Sequence, residues 1–123
     1  MTEKKFVVLI VDDEPEVREV FAGLVAHFGY HAIPVENSER ALLTLARRQP
    51  DILLVAREIS MGGEELPMLA KSIAPDIRVI MTTTGFAEDI AACPGAAAID
   101  YILEKPFSDA ALNAAIREVL AAA

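Results

Sequence analysis

The stretch Phe6-Val-Val-Leu-Ile-Val-Asp-Asp-Glu-Pro15 decides the fold class. Its first six residues form a continuous apolar run rich in β-branched side chains. Such a run is typical of a strand buried on both faces of a parallel sheet. Asp12 and Asp13 end the run, and Pro15 suits the first turn of a helix because that position needs no backbone N–H. The stretch therefore predicts a strand, an acidic turn and a helix.

The same strand-and-helix unit recurs along the whole chain. Strands are predicted over residues 6–11, 31–35, 52–56, 78–82 and 98–103, and helices over 15–28, 38–48, 64–73, 88–92 and from Ser108 towards the C-terminus. In helix one, six apolar residues share a helical face that we expect to pack on the sheet: Val17, Val20, Phe21, Leu24, Val25 and Phe28. The alternation predicts an α/β fold whose parallel sheet is covered by helices on both sides.

Composition narrows the function class. The chain has 123 residues and 54% hydrophobic residues, which fits one domain with a packed core. Its net charge of −8 argues against nucleic acid and against anionic membranes as partners. Cys93 is the only cysteine and cannot form an internal disulfide, and the first apolar run is too short for a signal or membrane segment. We therefore expect a cytoplasmic protein.

Polar residues follow the predicted strands at the points where ligands bind in such sheets. Asp12 and Asp13 follow the first strand, Thr83 belongs to a threonine run at the end of the fourth, and Lys105 follows the fifth. Adjacent carboxylates favour a hard cation such as Mg²⁺, while a lysine and a threonine can hold phosphoryl oxygens. The competing interpretation is that the acidic residues only cap helix one.

Four segments together carry a resemblance to the response-regulator receiver domains of two-component signalling. They are Val8-Leu-Ile-Val-Asp-Asp-Glu-Pro15, Pro50-Asp-Ile-Leu-Leu-Val55, Val79-Ile-Met-Thr-Thr83 and Asp100-Tyr-Ile-Leu-Glu-Lys-Pro-Phe107. The resemblance implies one receiver domain over residues 1–123, a flavodoxin-like (βα)5 doubly wound sheet with strand order 2-1-3-4-5, and a signalling module rather than an enzyme. It also implies phosphoryl transfer from a histidine kinase or phosphotransfer protein to an aspartate at the end of strand three, with Mg²⁺.

The resemblance assigns roles to individual residues. Asp12 and Asp13 match the acidic pair that binds the metal. Thr83 matches the hydroxyl residue that contacts the phosphoryl group and shifts on activation, and Tyr101 matches the aromatic residue whose rotamer follows that shift. The dipeptide Lys105-Pro106 matches the lysine that pairs with a phosphoryl oxygen and the proline after it, which often follows a cis peptide bond in this family.

The chain departs from the family at the acceptor position, which falls on Ala56. A methyl group is neither a nucleophile nor a metal ligand. The following loop, Ile59-Ser-Met-Gly-Gly63, also lacks the usual Met-Pro pair. These departures predict a degenerate receiver that acts by protein–protein contact, with Asp12 and Asp13 left as part of a Mg²⁺ site. One alternative is a Mg²⁺-dependent receiver with a displaced acid or an engineered Ala56. The other is a flavin- or nucleotide-binding flavodoxin-like enzyme, and the sequence argues against it because it contains no glycine-rich phosphate-binding motif.

Two residues beside Ala56 leave their roles open. Glu58 lies two positions on, so in an extended chain it faces the same way as Ala56. It can act as a carboxylate ligand or a fixed negative charge, but we expect a solvated loop residue. Arg57 can neutralise Asp12 and Asp13, although the same alternation predicts that its side chain points away from them.

The expected partners are a histidine kinase, a phosphotransfer protein or an effector protein. The family's usual dimer face, formed by helix four, strand five and helix five, is rich in small residues here: Ala91, Ala92, Ala96, Ala97, Ala98, Ala110, Ala111, Ala114 and Ala115. Small residues allow close approach and hence a homodimer. They are equally suited to filling the core.

Overall fold

The computed structural model describes residues 5–59, 62–93 and 95–122, and it alternates strands with helices. The strands are β1 (Val7–Val11), β2 (His31–Val35), β3 (Ile52–Ala56), β4 (Arg78–Thr83) and β5 (Tyr101–Glu104). The helices are α1 (Pro15–His27), α2 (Ser38–Arg47), α3 (Leu66–Ile73), α4 (Ala87–Ala91) and α5 (Asp109–Ala121). A short 3-10 turn covers Ala96–Ala98, between α4 and β5.

All strand pairs are parallel, and the strand order is β2-β1-β3-β4-β5. The prediction of a doubly wound α/β sheet in this order is confirmed. Every residue of β3 is buried, which explains the continuous apolar sequence of that central strand. β2 lies at the edge, where Pro34 is tolerated because an edge strand leaves one side of its backbone unpaired.

Side chains alternate between two cores on opposite faces of the sheet. Leu9, Leu53 and Met81 belong to the core that α2, α3 and α4 cover. Ile10, Leu54 and Ile80 belong to the core that α1 and α5 cover. The carboxyl ends of β1, β3, β4 and β5 consequently meet at one edge between these two layers.

The helix boundaries follow local chemistry. Pro15 opens α1, and Gly29, with a φ of 99°, follows its last turn. The Asn37 side chain caps α2 by accepting a hydrogen bond from the Arg40 N–H at 2.8 Å. Ser108 caps α5 in the same way at 3.0 Å from the Ala111 nitrogen. Within the described residues, no helix has the length and apolar character that crossing a membrane requires.

Several predicted boundaries are wrong. α3 begins at Leu66 rather than at residue 64, because the Leu66 N–H closes a turn onto the Gly62 carbonyl at 2.8 Å. Ala98 belongs to the 3-10 turn and not to a strand, since its N–H bonds to the Gly95 carbonyl at 2.9 Å. β4 extends one residue further, to Thr83.

One residue of the predicted helix-one face is also misplaced. Val20 is 58% exposed, whereas Phe21 and Val25 are buried. The contact with the sheet is therefore narrower than the apolar stripe of the sequence.

Candidate functional site

The carboxyl edge of the sheet brings most of the predicted polar residues together. β3 lies between β1 and β4, and Ala56 pairs with Thr82 across β3 and β4. Thr83 pairs with Glu104 across β4 and β5. Asp12 directly follows β1, so carboxylates, hydroxyls and an ammonium group surround the end of β3. This convergence confirms the expected placement of the polar strand ends.

Asp12 and Lys105 form the acidic half of this edge. Asp12 is 2% exposed, and its Oδ1 accepts a hydrogen bond from the Glu14 N–H at 3.0 Å. Its Oδ2 lies 3.7 Å from Lys105 Nζ, which is an ion-pair distance but too long for a hydrogen bond. Among the described residues this Oδ2 is a buried oxygen without a hydrogen-bond partner. The Thr82 hydroxyl oxygen is the other such atom at this edge, so Asp12 Oδ2 is a carboxylate oxygen still available to a cation or a water.

Lys105 is fixed by its surroundings as well as by Asp12. Its Nζ lies 5.8 Å from the centre of the Phe21 ring, within cation–π range, and Phe21 stacks on Phe107 with ring centres 5.6 Å apart. The Lys105-Pro106 peptide bond is cis. The lysine thus reaches the edge from the α1 and α5 side of the sheet.

The carboxylates available for a metal are fewer than the family site requires. Asp13 is exposed and adjoins Asp12, but Ala56 at the end of β3 offers only a methyl group, which is 5% exposed. Within residues 5–59, 62–93 and 95–122, no cluster of three His, Cys, Asp or Glu side chains is arranged to hold a metal ion. The residues present do not fit a complete Mg²⁺ site.

Glu58 occupies the opposite half of the edge. Its Oε2 accepts a hydrogen bond from the Thr83 hydroxyl at 2.8 Å, and its Oε1 accepts one from the Thr84 N–H at 3.1 Å. The residue is exposed, as expected for a loop. Its carboxylate is nevertheless held by the end of β4, so the interpretation of Glu58 as a merely solvated residue is wrong.

Thr83 is positioned to serve this contact. The residue is fully buried, and its hydroxyl oxygen accepts a hydrogen bond from the Gly85 N–H at 2.9 Å. Its carbonyl accepts a further bond from the Lys105 N–H at 2.7 Å. The neighbouring Glu104 accepts a hydrogen bond from Ala87, the first residue of α4, at 2.6 Å. This role of Glu104 was not predicted from the sequence, although an acid is the residue type expected at a helix N-terminus.

Arg57 points away from the acidic pair, as the strand alternation predicts. Its Nε donates to Glu64 Oε2 at 2.8 Å, and a guanidinium nitrogen lies 3.9 Å from the Cys93 sulfur. The hydrogen bond from Arg57 lowers the pKa of Glu64, although partial burial acts in the opposite direction. The same bond raises the pKa of Arg57. Arg57 therefore neutralises Glu64, and not Asp12 and Asp13.

Tyr101 lies on the wrong face for the switch role that the resemblance implies. It packs against the core beneath α1 and α5, together with Leu103. Ile102 packs against the opposite core, which also contains Val79 and Met81 of β4. By strand alternation the Thr83 side chain shares the face of Met81. The expected pairing of Tyr101 with Thr83 is therefore contradicted, and alternation along β5 is the signal that could have revealed it.

The small residues of the proposed dimer face are divided between core and surface. Ala98 and Ala115 are buried in the core. The exposed members are Ala91, Ala92, Ala97, Ala110 and Ala114. The buried alanines fill the core as the second interpretation expects, while the homodimer stays a prediction for the exposed ones.

Comparison with known proteins assigns the family. A family model described as the response regulator receiver domain matches residues 8–117. The chain belongs to this family. It is thus a receiver domain of two-component signalling, and this family consists of signalling modules rather than enzymes.

Curated relatives are longer than this chain. It is 33% identical over 116 residues to the phosphate regulon transcriptional regulatory protein PhoB of Pseudomonas aeruginosa, covering 92% of this chain and 51% of the relative. It is 32% identical over 105 residues to the nitrogen assimilation regulatory protein NtrX of Azorhizobium caulinodans, covering 82% of this chain and 23% of the relative. The chain thus spans about half the length of the first relative and less of the second.

Solved structures agree on the fold. A CheY-like receiver domain protein from Methanospirillum hungatei superposes with a TM-score of 0.87 at 22% identity, covering 95% of this chain and 94% of that one. The response regulator TrrA from Thermotoga maritima, in complex with Mg²⁺ and beryllofluoride, superposes with a TM-score of 0.83 at 23% identity, covering 93% and 98%. At these identities the likeness establishes the fold alone.

Proposed function

We propose that this chain is a degenerate receiver that signals by protein–protein contact without phosphorylation of an aspartate. The observation that carries the proposal is Ala56, a buried methyl group at the end of β3, between Asp12 and Thr83. Phosphoryl transfer needs a nucleophilic oxygen at the point where the polar groups converge. At this point the chain supplies a group that cannot form a bond to phosphorus.

The remaining acidic residues support the same proposal. Lys105 lies beside the buried oxygen of Asp12 and offsets its charge. Without a third carboxylate, Asp12 and Asp13 form only part of a Mg²⁺ site, so we expect weak metal binding. The alternative of a displaced acceptor acid requires Glu58, but its carboxylate occupies the Thr83 and Thr84 donors that would otherwise hold the oxygens of a transferred phosphoryl group. An engineered Ala56 in an otherwise ordinary receiver is a second alternative, and for it too Ala56→Asp should be phosphorylated.

The proposal includes the class of partner. We expect a histidine kinase, a phosphotransfer protein or an effector protein to recognise the folded domain, and a homodimer to use the exposed alanines of α4 and α5. The net charge of −8 disfavours nucleic acid and anionic membranes as ligands of this domain. We further propose that residues 1–123 form one domain that works in the cytoplasm, with no flavin or nucleotide.

Incubation with acetyl phosphate and Mg²⁺, followed by intact-mass measurement, tests the proposal. We expect no phosphorylated species from the unmodified chain. The matched variant Ala56→Asp should gain the added mass of one phosphoryl group, because it supplies both the nucleophile and the third carboxylate. A phosphorylated species of the unmodified chain, with the lability of an acyl phosphate, would refute the proposal.

A further inference from the structure

The resemblance assigns the Thr83 hydroxyl to phosphoryl contact, and we propose that in this chain Glu58 is the built-in occupant of that position, held by the Thr83 hydroxyl and the Thr84 N–H. In the folded chain the Glu58 carboxylate excludes free oxyanions from these two donors. This inference deepens the proposed function by naming the group that fixes the β4–α4 loop. Its test measures the amides of that loop rather than phosphorylation, so either idea can fail while the other stands.

The hydrogen bonds show that the two donors converge on one carboxylate. Glu58 Oε2 lies 2.8 Å from the Thr83 hydroxyl, and Oε1 lies 3.1 Å from the Thr84 nitrogen. Each oxygen therefore has its own donor. A planar oxyanion of this size satisfies both donors at once, and hydrogen bonds to an ionised acceptor are the stronger kind.

The Thr83 hydroxyl is oriented for an anion. Its oxygen already accepts a hydrogen bond from the Gly85 N–H at 2.9 Å, which leaves its proton free to point at Glu58. Thr83 is fully buried with Glu58 in place, whereas Glu58 and Thr84 are exposed, so removing the Glu58 carboxylate opens the two donors to solvent. The convergent donors should then take up a dissolved oxyanion in place of that carboxylate.

The charges beside the site are balanced rather than positive. A Cβ added at Gly85 would lie 3.5 Å from both the Arg57 guanidinium and the Thr83 hydroxyl and 3.9 Å from the Asp89 carboxylate, so a cation and an anion both border the site. Arg57 is bonded to Glu64, and Lys105 lies beside Asp12, so neither cation forms a direct ion pair with Glu58 among the described contacts. The two convergent donors therefore set the ligand class, which is a small oxyanion such as acetate or inorganic phosphate.

A chain of contacts links this site to the start of α4. The Thr83 carbonyl accepts a hydrogen bond from the Lys105 N–H, directly after Glu104. Glu104 in turn accepts a bond from Ala87, the first residue of α4. Because Glu58 holds Thr83 and Thr84, it also restrains the segment from which α4 starts.

The experiment compares ¹⁵N-labelled unmodified chain with Glu58→Ala by NMR. In Glu58→Ala the amide signals of Thr83, Thr84 and Gly85 should move, and titration with sodium acetate or sodium phosphate should move them back towards their original positions. The unmodified chain should bind either anion at these amides about tenfold more weakly or not at all, because its own carboxylate competes. Sodium chloride at equal ionic strength separates site binding from screening.

Two further variants keep the test decisive. Glu65→Ala removes an exposed carboxylate from the neighbouring turn and should leave the Thr84 signal in place. Glu58→Gln keeps the size of the side chain but loses one acceptor oxygen, so it should shift the Thr84 or Thr83 signals without anion rescue. Unmoved amides in both Glu58 variants, or equal anion affinity with and without Glu58, would overturn the inference.

Discussion

The two halves of the carboxyl edge differ in whether the chain itself supplies a hydrogen-bond partner for each polar group. Beside β1, Asp12 buries an oxygen that has an ammonium 3.7 Å away and no hydrogen-bond partner within the described chain. Beside β4, the Thr83 hydroxyl and the Thr84 N–H both have an acceptor, supplied by Glu58. The acidic half is left incomplete by Ala56, while the other half is completed from within the chain. The edge thus retains the architecture of a receiver site, while the end of β3 carries a methyl group instead of a nucleophilic oxygen.

The largest effect should come from combining changes on both halves. Ala56→Asp restores an acceptor, but Glu58 still competes with the incoming phosphoryl group for Thr83 and Thr84. The double variant Ala56→Asp/Glu58→Ala should therefore be phosphorylated by acetyl phosphate about tenfold faster than Ala56→Asp alone. Intact mass against time measures both rates. Equal rates would show that Glu58 does not obstruct the site.

The acidic half should be sensitive to loss of its cation. Lys105→Met leaves the Asp12 carboxylate buried without a counter-charge, so it should lower the free energy of unfolding by about 1–3 kcal/mol. Urea denaturation measures the change, and adding Asp12→Asn should recover part of it. Lys71→Met is the control, because its partner Asp100 is 27% exposed where the Asp12 side chain is 3% exposed. We expect a loss below about 1 kcal/mol there, although that pair is closer at 2.9 Å. Equal losses at the two lysines would contradict the role of burial.

The smallest effect concerns the ion pair beside the site and depends on pH. Arg57 lowers the pKa of Glu64 in the folded chain, so the pair adds stability above the pKa that Glu64 has when unfolded. That contribution disappears as falling pH protonates the folded carboxylate. Glu64→Gln should therefore cost up to about 1 kcal/mol at neutral pH and close to nothing in acid, because both groups are partly exposed.

Urea denaturation at several pH values checks this prediction. Glu65→Gln controls for the loss of one negative charge in the same turn. A cost that stays constant from neutral to acid pH would show that the Arg57–Glu64 contact does not contribute through its charge.

Much of the fold was predictable because its signals are local and repeated. The run from Val8 to Val11 and the buried strand around Leu54 are apolar on both faces, and that property alone places them at the centre of a parallel sheet. The caps at Asn37 and Ser108 follow from side-chain chemistry at a helix start. Positions after the strands could be assigned to one edge by topology, which correctly brought Asp12, Thr83 and Lys105 together.

The rest of the site depends on the path of loops and the orientation of side chains, which the residue types alone do not specify. The role of Glu58 rests on the path of a loop that brings its carboxylate back onto β4. The partner of Arg57 is Glu64, seven positions on, in the turn before α3. Tyr101 matched a motif by residue type, but the pleat of β5 turned its side chain to the other face. The contacts of Glu58 and Arg57, which the sequence left open, and the orientation of Tyr101, which it predicted wrongly, are therefore set by tertiary structure.

The most direct measurement records the Thr84 amide signal of the unmodified chain and of Ala56→Asp before and after adding Mg²⁺ with beryllofluoride, a phosphoryl mimic. Ala56→Asp provides the oxygen to which beryllium can bond, so its loop amides should shift. In the unmodified chain Ala56 offers no such oxygen and Glu58 holds the Thr83 and Thr84 donors, so the signal should stay in place at millimolar Mg²⁺. A saturable shift of Thr84 in the unmodified chain, equal to that of Ala56→Asp, would contradict the account of this edge as a site closed to phosphoryl groups.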